Sequence, residues 1–348
     1  MQEKNIIEPI AKTEISITQK VEILKKPEPY PYCISEVATK ETHMSWVFFA
    51  DGFVYKLKKP LQNHIVDFRT IKARLENCEE EIRLNKKLAK DIYIGIVPLV
   101  VNKEGQIKVE GKGKIIDWLV KMKRLSEKNM LDYAILHQKI DKSAIEETAK
   151  LLSEFYKSSH PFHISPYKFR KKLENDINFI HSELLQTVYN LPVEKIEKIK
   201  SVFFNFLGRH ALIFEKRIKK RKILEVHGDL RPEHICLFPQ PAIIDALEFN
   251  KELRIMDVAE ELSFLDMECE MMGDWETGKI FFNYYQKDNS DPIPQALILF
   301  YKAKKAFLRA YLVARHIKEP EYNKQVKWMK KANAYLQLTK KYTQLLEE

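Results

Sequence analysis

The apolar pattern of this chain changes period at about residue 126, and that change restricts it to a two-part α+β architecture. Before that point the apolar residues come in short β-rich runs. Those at 46–49 and 53–57 flank Asp51-Gly52, and a D-G pair between two such runs predicts a hairpin. Runs at 94–101 and 115–122 predict two further strands, while Leu75, Cys78, Ile82 and Leu88, with charges between them, predict an amphipathic helix over about 67–89. Beyond 126, Phe169, Leu173, Ile177, Ile180 and Leu184 recur at threes and fours as one helical stripe. Pro192 predicts the start of a long helix running through Phe203 and Phe206 towards Arg217. A β island interrupts the helices at 223–226, 235–238 and 242–244, with Phe238-Pro-Gln-Pro241 turning between its last two strands. The expectation is a bilobed chain: an N-terminal extension over 1–34, a small antiparallel β lobe over 35–125 and a larger, mainly helical lobe over 126–348.

Composition narrows the function classes. At 45% hydrophobic and 31% charged, 348 residues can bury a sizeable core, and the net charge of +10 attracts anions without choosing among nucleic acid, lipid and nucleotide phosphate. Cys33, Cys78, Cys236 and Cys269 form no C-x-x-C pair and read as reduced, buried thiols. The first twenty residues lack the apolar core of a signal peptide, and the run at 94–101, broken by Pro98, is too short to span a bilayer. A cytoplasmic protein with no membrane partner is expected. Only nine glycines are present, and none of them builds G-x-x-x-x-G-K-[ST] or G-x-G-x-x-G, so any nucleotide site here does without a glycine-rich loop.

Two charged segments admit bland readings. From Asp257 to Glu276 there are eight acids and no Lys or Arg. This run reads either as a solvated helix face or as the lining for a cationic acceptor. The basic run 216–222 and the later Lys302, Lys304, Lys305, Arg309 and Arg315 read as solvated helix faces rather than a nucleic-acid surface, since no aromatic stacking motif accompanies them.

Chemistry concentrates around the island. His227-Gly-Asp229-Leu-Arg231-Pro-Glu233-His234 follows its first strand, and Asp245-Ala-Leu-Glu248 follows its last. Two acids at the ends of neighbouring strands can converge, and phosphoryl transfer needs such a pair: one carboxylate to orient and deprotonate a hydroxyl, another to hold a metal on the phosphates. A metallohydrolase cluster of the same residues is disfavoured, because their spacings match no zinc pattern.

H-G-D-L-R-P-E-H-I resembles the catalytic loop of the aminoglycoside phosphotransferase (choline/fructosamine kinase-like) superfamily, typically H-G-D-L-H-P-G-N-I, and I-I-D-A-L-E-F resembles its metal segment. His43-Met44-Ser45 and Val54-Tyr55-Lys56 are similar to the family's phosphate-covering loop and nucleotide-anchoring strand, so the resemblance runs from about 35 to 270. It is strongest to a bacterial branch carrying E-T-H-x-S-W-V-F and H-G-D-L-R-P-E-H, often fused to a P-loop ATPase half; the lack of that half here suggests a separate P-loop protein as partner.

The resemblance implies a protein-kinase-like fold and transfer of the γ-phosphate of ATP or GTP to a hydroxyl of a small molecule. It implies Asp229 as the base and Asp245 as the principal Mg²⁺ ligand, with Glu248 assisting. Lys56 would lie on the phosphates beside the Ser45 loop, paired with an acid of the 67–89 helix. Glu81 is chosen over Glu79 and Glu80, and Lys58 shares the strand face of Lys56. The backbone around Met122 would contact the adenine, and Glu261 would brace the catalytic loop. One residue departs from the pattern: the metal-binding Asn is His234, whose imidazole suits Mn²⁺ better than Mg²⁺. The alternative is a nucleotide-binding pseudokinase without turnover.

Overall fold

The computed structural model describes residues 15–62, 66–318 and 322–348. The chain divides into two compact units, one running to Arg83 and resuming over Lys90–Arg124, the other comprising Leu84–Ala89 and Leu125–Glu348. The fold is α+β, an antiparallel sheet followed by a mainly helical part.

In the first unit, α1 (Ile17–Leu24) precedes β1 (Val37–Glu41), β2 (Ser45–Ala50) and β3 (Phe53–Lys58). Then come α2 (Ile71–Asn85), β4 (Tyr93–Val101), β5 (Ile107–Val109) and β6 (Lys114–Lys123). The six strands form one antiparallel sheet in the order β1-β2-β3-β6-β4-β5. Asp51 and Gly52 turn the β2–β3 hairpin, with Asp51 at φ 49°, a conformation Asp tolerates. Helix α1 starts at a capping box between Ser16 and Gln19. Its Val21 and Leu24 join Tyr55, Leu57 and Leu119 in the core on one face of the sheet. Val54, Lys56 and Lys58 alternate to the opposite face, because successive strand residues point to opposite sides. The extension expected over 1–34 is named here only from residue 15, its first fourteen residues lying outside those described.

The second unit contains α3 (Leu131–Leu136), α4 (Lys142–Ser158), α5 (Pro166–Leu184), α6 (Val193–Arg209) and α7 (Ala211–Lys219). Next are β7 (Ile223–Glu225), β8 (Ile235–Cys236), β9 (Ala242–Ile243) and β10 (Ile255–Asp257). Helices α8 (Val258–Met271), α9 (Thr277–Asp288), α10 (Gln295–Ala314) and α11 (Tyr322–Glu347) complete it.

Two expectations are corrected. The long helix after Pro192 breaks at His210, and the turn lets Phe206 and Phe214 both pack on Phe300, at ring separations of 4.8 and 5.5 Å. The island is two ladders rather than one sheet: β8 pairs with β9, while β7 pairs with β10. The thiols are also mixed, since Cys33 is exposed while the other three cysteines are buried.

Helix α8 is buried all round, and its charges are met by its neighbours. Lys302 of α10 pairs with Asp266 and, at 2.7 Å, with Glu270. Lys304 sits 2.9 Å from both Glu260 and Asp176, Lys305 reaches Glu260 at 3.2 Å, and Arg309 reaches Glu268 at 2.9 Å. Arg217 of α7 lies 2.7 Å from both Asp257 and Asp291. The acids from Asp257 to Glu270 are therefore packed inside rather than solvated, while Glu276 stays exposed, and five of the basic residues read as solvated faces, Arg217, Lys302, Lys304, Lys305 and Arg309, are their partners. Gly278 lets α9 lie against α8, for a Cβ there would come within 2.4 Å of the Asp266 Cα. Among the described residues no helix is long and apolar enough to cross a membrane.

Candidate active site

The loop after β7 turns at Gly228, whose φ of +89° and 3.1 Å clearance to Leu247 and Arg254 leave no room for a side chain. Glu261 on the first turn of α8 fixes that turn. It accepts the backbone N–H groups of His227 (3.2 Å) and Gly228 (2.6 Å) and the Tyr156 hydroxyl (2.7 Å). Burial pushes the Glu261 carboxyl up to about 7 against these three donors, which favour the ionised form. His227 places Nε2 2.9 Å from the Ile244 carbonyl and Nδ1 3.3 Å from the Asp229 N–H, so Nε2 carries the proton and Nδ1 accepts. Burial, with His234 nearby, pushes its pKa down to about 4, and the ring is neutral at pH 7.

Asp229 follows at the end of this turn with its carboxyl 30% exposed. Burial works against its charge, but Arg231, 2.9 Å away, and then His234 and Arg309 hold it below the usual carboxylate range. Arg231 also pairs with Glu233. Asp245 follows β9 at φ 61°, and its carboxyl is 47% exposed. Asp tolerates this left-handed conformation, as it does at Asp51.

His234 stands between the two acids. Its Nδ1 is 2.9 Å from the Asp229 carbonyl and 3.7 Å from the Asp229 carboxylate, and its Nε2 is 3.6 Å from Asp245. The Arg231 guanidinium, which can only donate, lies 3.2 Å from that Nε2, so Nε2 accepts and Nδ1 donates to the Asp229 carbonyl. The segment after Asp245 is pinned on both sides. The Ala246 N–H donates to Asn85 Oδ1 (2.9 Å) and the Leu247 N–H to the His227 carbonyl (3.0 Å). The buried Arg254 donates to the carbonyls of Leu247 (2.8 Å) and Glu248 (3.3 Å) and pairs with Glu225.

Among the described residues no three His, Cys, Asp or Glu side chains gather as a ligand group. His234 Nε2 and Asp245 are 3.6 Å apart, and the Arg231 guanidinium occupies the His234 lone pair in this arrangement. What remains suits an ion held by one exposed carboxylate and completed by water and phosphate oxygens, the habit of Mg²⁺.

In the first unit, Glu81 is the one of the three consecutive glutamates that turns inward. Glu79 is exposed, and Glu80 pairs with Arg83 at the surface. Glu81 is 2.9 Å from the Lys56 ammonium and also pairs with Lys58, so both lysines share one carboxylate. Ser45 is buried at the start of β2; its N–H donates to Thr42 Oγ1 (3.0 Å), leaving the turn at His43-Met44 outermost. Met122 is the centre of the segment expected beside the adenine. It lies inside β6, paired with Val54 on one side and Tyr93 on the other, and the N–H groups of Lys123 and Arg124 donate to Ile92 and Gly52. The backbone leaves the sheet only at Leu125.

No family model matches the chain. It is 27% identical over 286 residues to uncharacterised proteins of Mycobacterium tuberculosis and Mycobacterium bovis, covering 79% of this chain and 54% of theirs. The chain thus spans about half the length of the curated relatives it matches. Among solved structures, a mutant of aminoglycoside 2'-phosphotransferase-IIIa in its GDP complex superposes with a TM-score of 0.56, at 13% identity over 93% of this chain and 97% of that one. Choline kinase from Cryptosporidium parvum superposes with a TM-score of 0.51, at 10% identity over 92% of this chain and 95% of that one. The fold is that of the aminoglycoside phosphotransferases and choline kinases. Within this kinase-like fold, sequence reasoning passed over Arg231, which stands in the motif where the family's typical loop has His, and over Asn85 and Arg254, whose partners are more than five residues away along the chain.

Proposed function

We propose that this chain transfers the γ-phosphate of ATP or GTP to a hydroxyl of a small molecule. The observation that supports this most is the convergence of Asp229 and Asp245, both ionisable and part-exposed, on opposite edges of His234. Asp229 takes the hydroxyl proton as the acceptor oxygen bonds to the γ-phosphorus and the bridging oxygen leaves with the nucleoside diphosphate. Its depressed pKa keeps it ionised at neutral pH and ready to accept. Asp245 would hold the divalent ion, Mg²⁺ or Mn²⁺, which when bound neutralises charge on the phosphates. Lys56, oriented by Glu81, would contact the nucleotide phosphates beside the turn at Met44 and Ser45. The adenine contact falls to the backbone from Leu125 onward rather than to Met122. GTP deserves a place beside ATP, because the superposed aminoglycoside enzyme was solved with GDP.

A second reading, nucleotide binding without turnover, is favoured by one observation: His234 stands at the family's second metal position and its lone pair is occupied by Arg231. The variant Asp229→Asn separates the two. Under our reading it binds nucleotide with unchanged affinity but loses turnover by roughly 10²- to 10⁴-fold, the range for removing a general base. Nucleotide binding in the wild type with no phosphate transfer to any acceptor or to water would favour the second.

A further inference from the structure

Arg231 ties the catalytic loop to no other element. Glu261 braces that loop through two backbone N–H groups, and Arg254 braces the segment after Asp245 through two carbonyls. Among the described residues Arg231 instead meets three side chains of its own loop: Nη1 donates to Glu233, and Nη2 donates to Asp229 at 2.9 Å and to His234 Nε2 at 3.2 Å. A guanidinium so placed does little for the fold, and beside a base it has a cost, because it weakens the hold of Asp229 on a proton. Its surroundings suit another task. The imidazole that Nη2 touches is itself 3.6 Å from Asp245, so the positive charge stands beside the gap between the two carboxylates. The side chain is 17% exposed, within reach of a ligand, and it has donors to spare. Nε is buried without an acceptor, and Nη1 keeps a second hydrogen beyond the one given to Glu233. The Nη2 hydrogen directed at His234 goes to a neutral nitrogen, and a phosphoryl oxygen is the stronger acceptor, since charge-assisted hydrogen bonds are roughly twice as strong as neutral ones.

We propose that Arg231 binds the γ-phosphoryl group during transfer and supplies there the positive charge of a second divalent ion, so that the site works with one metal, on Asp245. This rests on the phosphotransfer reading and adds a catalytic residue to it. The acceptor oxygen bonds to phosphorus, the bridging oxygen leaves with the nucleoside diphosphate, the hydroxyl proton passes to Asp229, and Arg231 stays protonated throughout. Negative charge in transit is spread over the equatorial phosphoryl oxygens, and the planar fork of Nη1 and Nη2 matches two of them. The bonds to Asp229 and Glu233 hold the fork in place beforehand, so little reorganisation is needed at the moment of transfer. The same guanidinium occupies the His234 lone pair, which keeps the imidazole from taking a second metal.

Thermal stabilisation of the full chain by ADP and Mg²⁺, with and without aluminium fluoride, tests this without an acceptor, because the fluoride complex mimics the phosphoryl group in transit. In the wild type, fluoride should lower the half-saturating ADP concentration by roughly tenfold or more. In Arg231→Met that gain should vanish while the rise with ADP alone remains. In Glu233→Gln, which weakens the hold on the guanidinium but leaves it in place, the gain should persist. Electron paramagnetic resonance of the wild type saturated with AMP-PNP should count a single bound Mn²⁺ per chain. An equal fluoride gain in wild type and Arg231→Met, no gain in the wild type, an equal loss in Arg231→Met and Glu233→Gln, as a purely bracing role would give, or a second Mn²⁺ on the wild type would overturn the inference. Failure of ADP itself to stabilise the wild type would instead count against the phosphotransfer reading.

Discussion

Two regions of the second unit carry dense charge, and they differ in how it is closed. Along α8 the acids lie buried against cations of α10 and tyrosines of α11, with carboxylate exposures of 4% for Glu260 and 7% for Glu268. On the loops after β7 and β9, Asp229 and Asp245 remain 30% and 47% exposed beside one imidazole and one guanidinium. Both arrangements are ionic, yet only the second leaves carboxylate oxygens within reach of a ligand. Charge matched and buried serves packing, whereas charge left accessible on a braced loop is available for chemistry.

The comparison can be broken at its packed side first. Lys304→Met leaves Glu260 buried with one remaining close cation, Lys305, and should cost about 3–5 kcal/mol of stability, the usual effect of removing one member of a buried pair. Denaturant melts check this; a loss under 1 kcal/mol would mean the pair is not holding α8 against α10. Gly278→Ala should cost less, about 1–3 kcal/mol, by forcing α9 away from the Asp266 backbone. Its nucleotide affinity should stay at the wild-type value, and a matching loss of affinity would show that the packed region and the loop are not separable.

The smallest effect is a pH dependence at the loop's brace. The His227 pKa falls from 6.5 to about 4 on folding, so its contribution is present above pH 6.5 and is lost as pH falls towards 4. The Glu261 pKa rises from 4.5 to about 7, so its contribution is present below pH 4.5 and is lost as pH rises towards 7. The two oppose each other between about pH 4.5 and 6.5. In His227→Asn only the Glu261 slope remains, and stability should fall relative to wild type as pH rises through that window. Parallel pH profiles for the two proteins would contradict the assignment.

Much of the site was legible because its signals are local. The Asp51-Gly52 hairpin, the H-G-D loop and the acid after the Ile243-Ile244 run are each written within a few adjacent residues. What escaped depends on partners far away along the chain. An acidic run with no cation of its own looks solvated until Lys302, Lys304 and Arg309, some forty residues on, are seen to meet it. The strand at 255–257 is three residues long and carries no period of its own, so its pairing with β7 could not be read. His210 has no helix-breaking chemistry; the break there is set by aromatic packing on Phe300. A strand and the segment leaving it look alike in sequence, so the end of β6 beyond Met122 is set only once both its neighbours, β3 and β4, are known.

The central claim is that this fold holds a metal-nucleotide complex through Asp245, and thermal stabilisation tests it most directly, since a ligand that binds only the folded state raises the melting temperature by mass action. Wild type and Asp245→Ala would be melted with ATP and with GTP, each with Mg²⁺, Mn²⁺ or a chelator. The account predicts a metal-dependent rise in the wild type that is lost in the variant. A rise of equal size in both proteins, or none in the wild type under any condition, would contradict it.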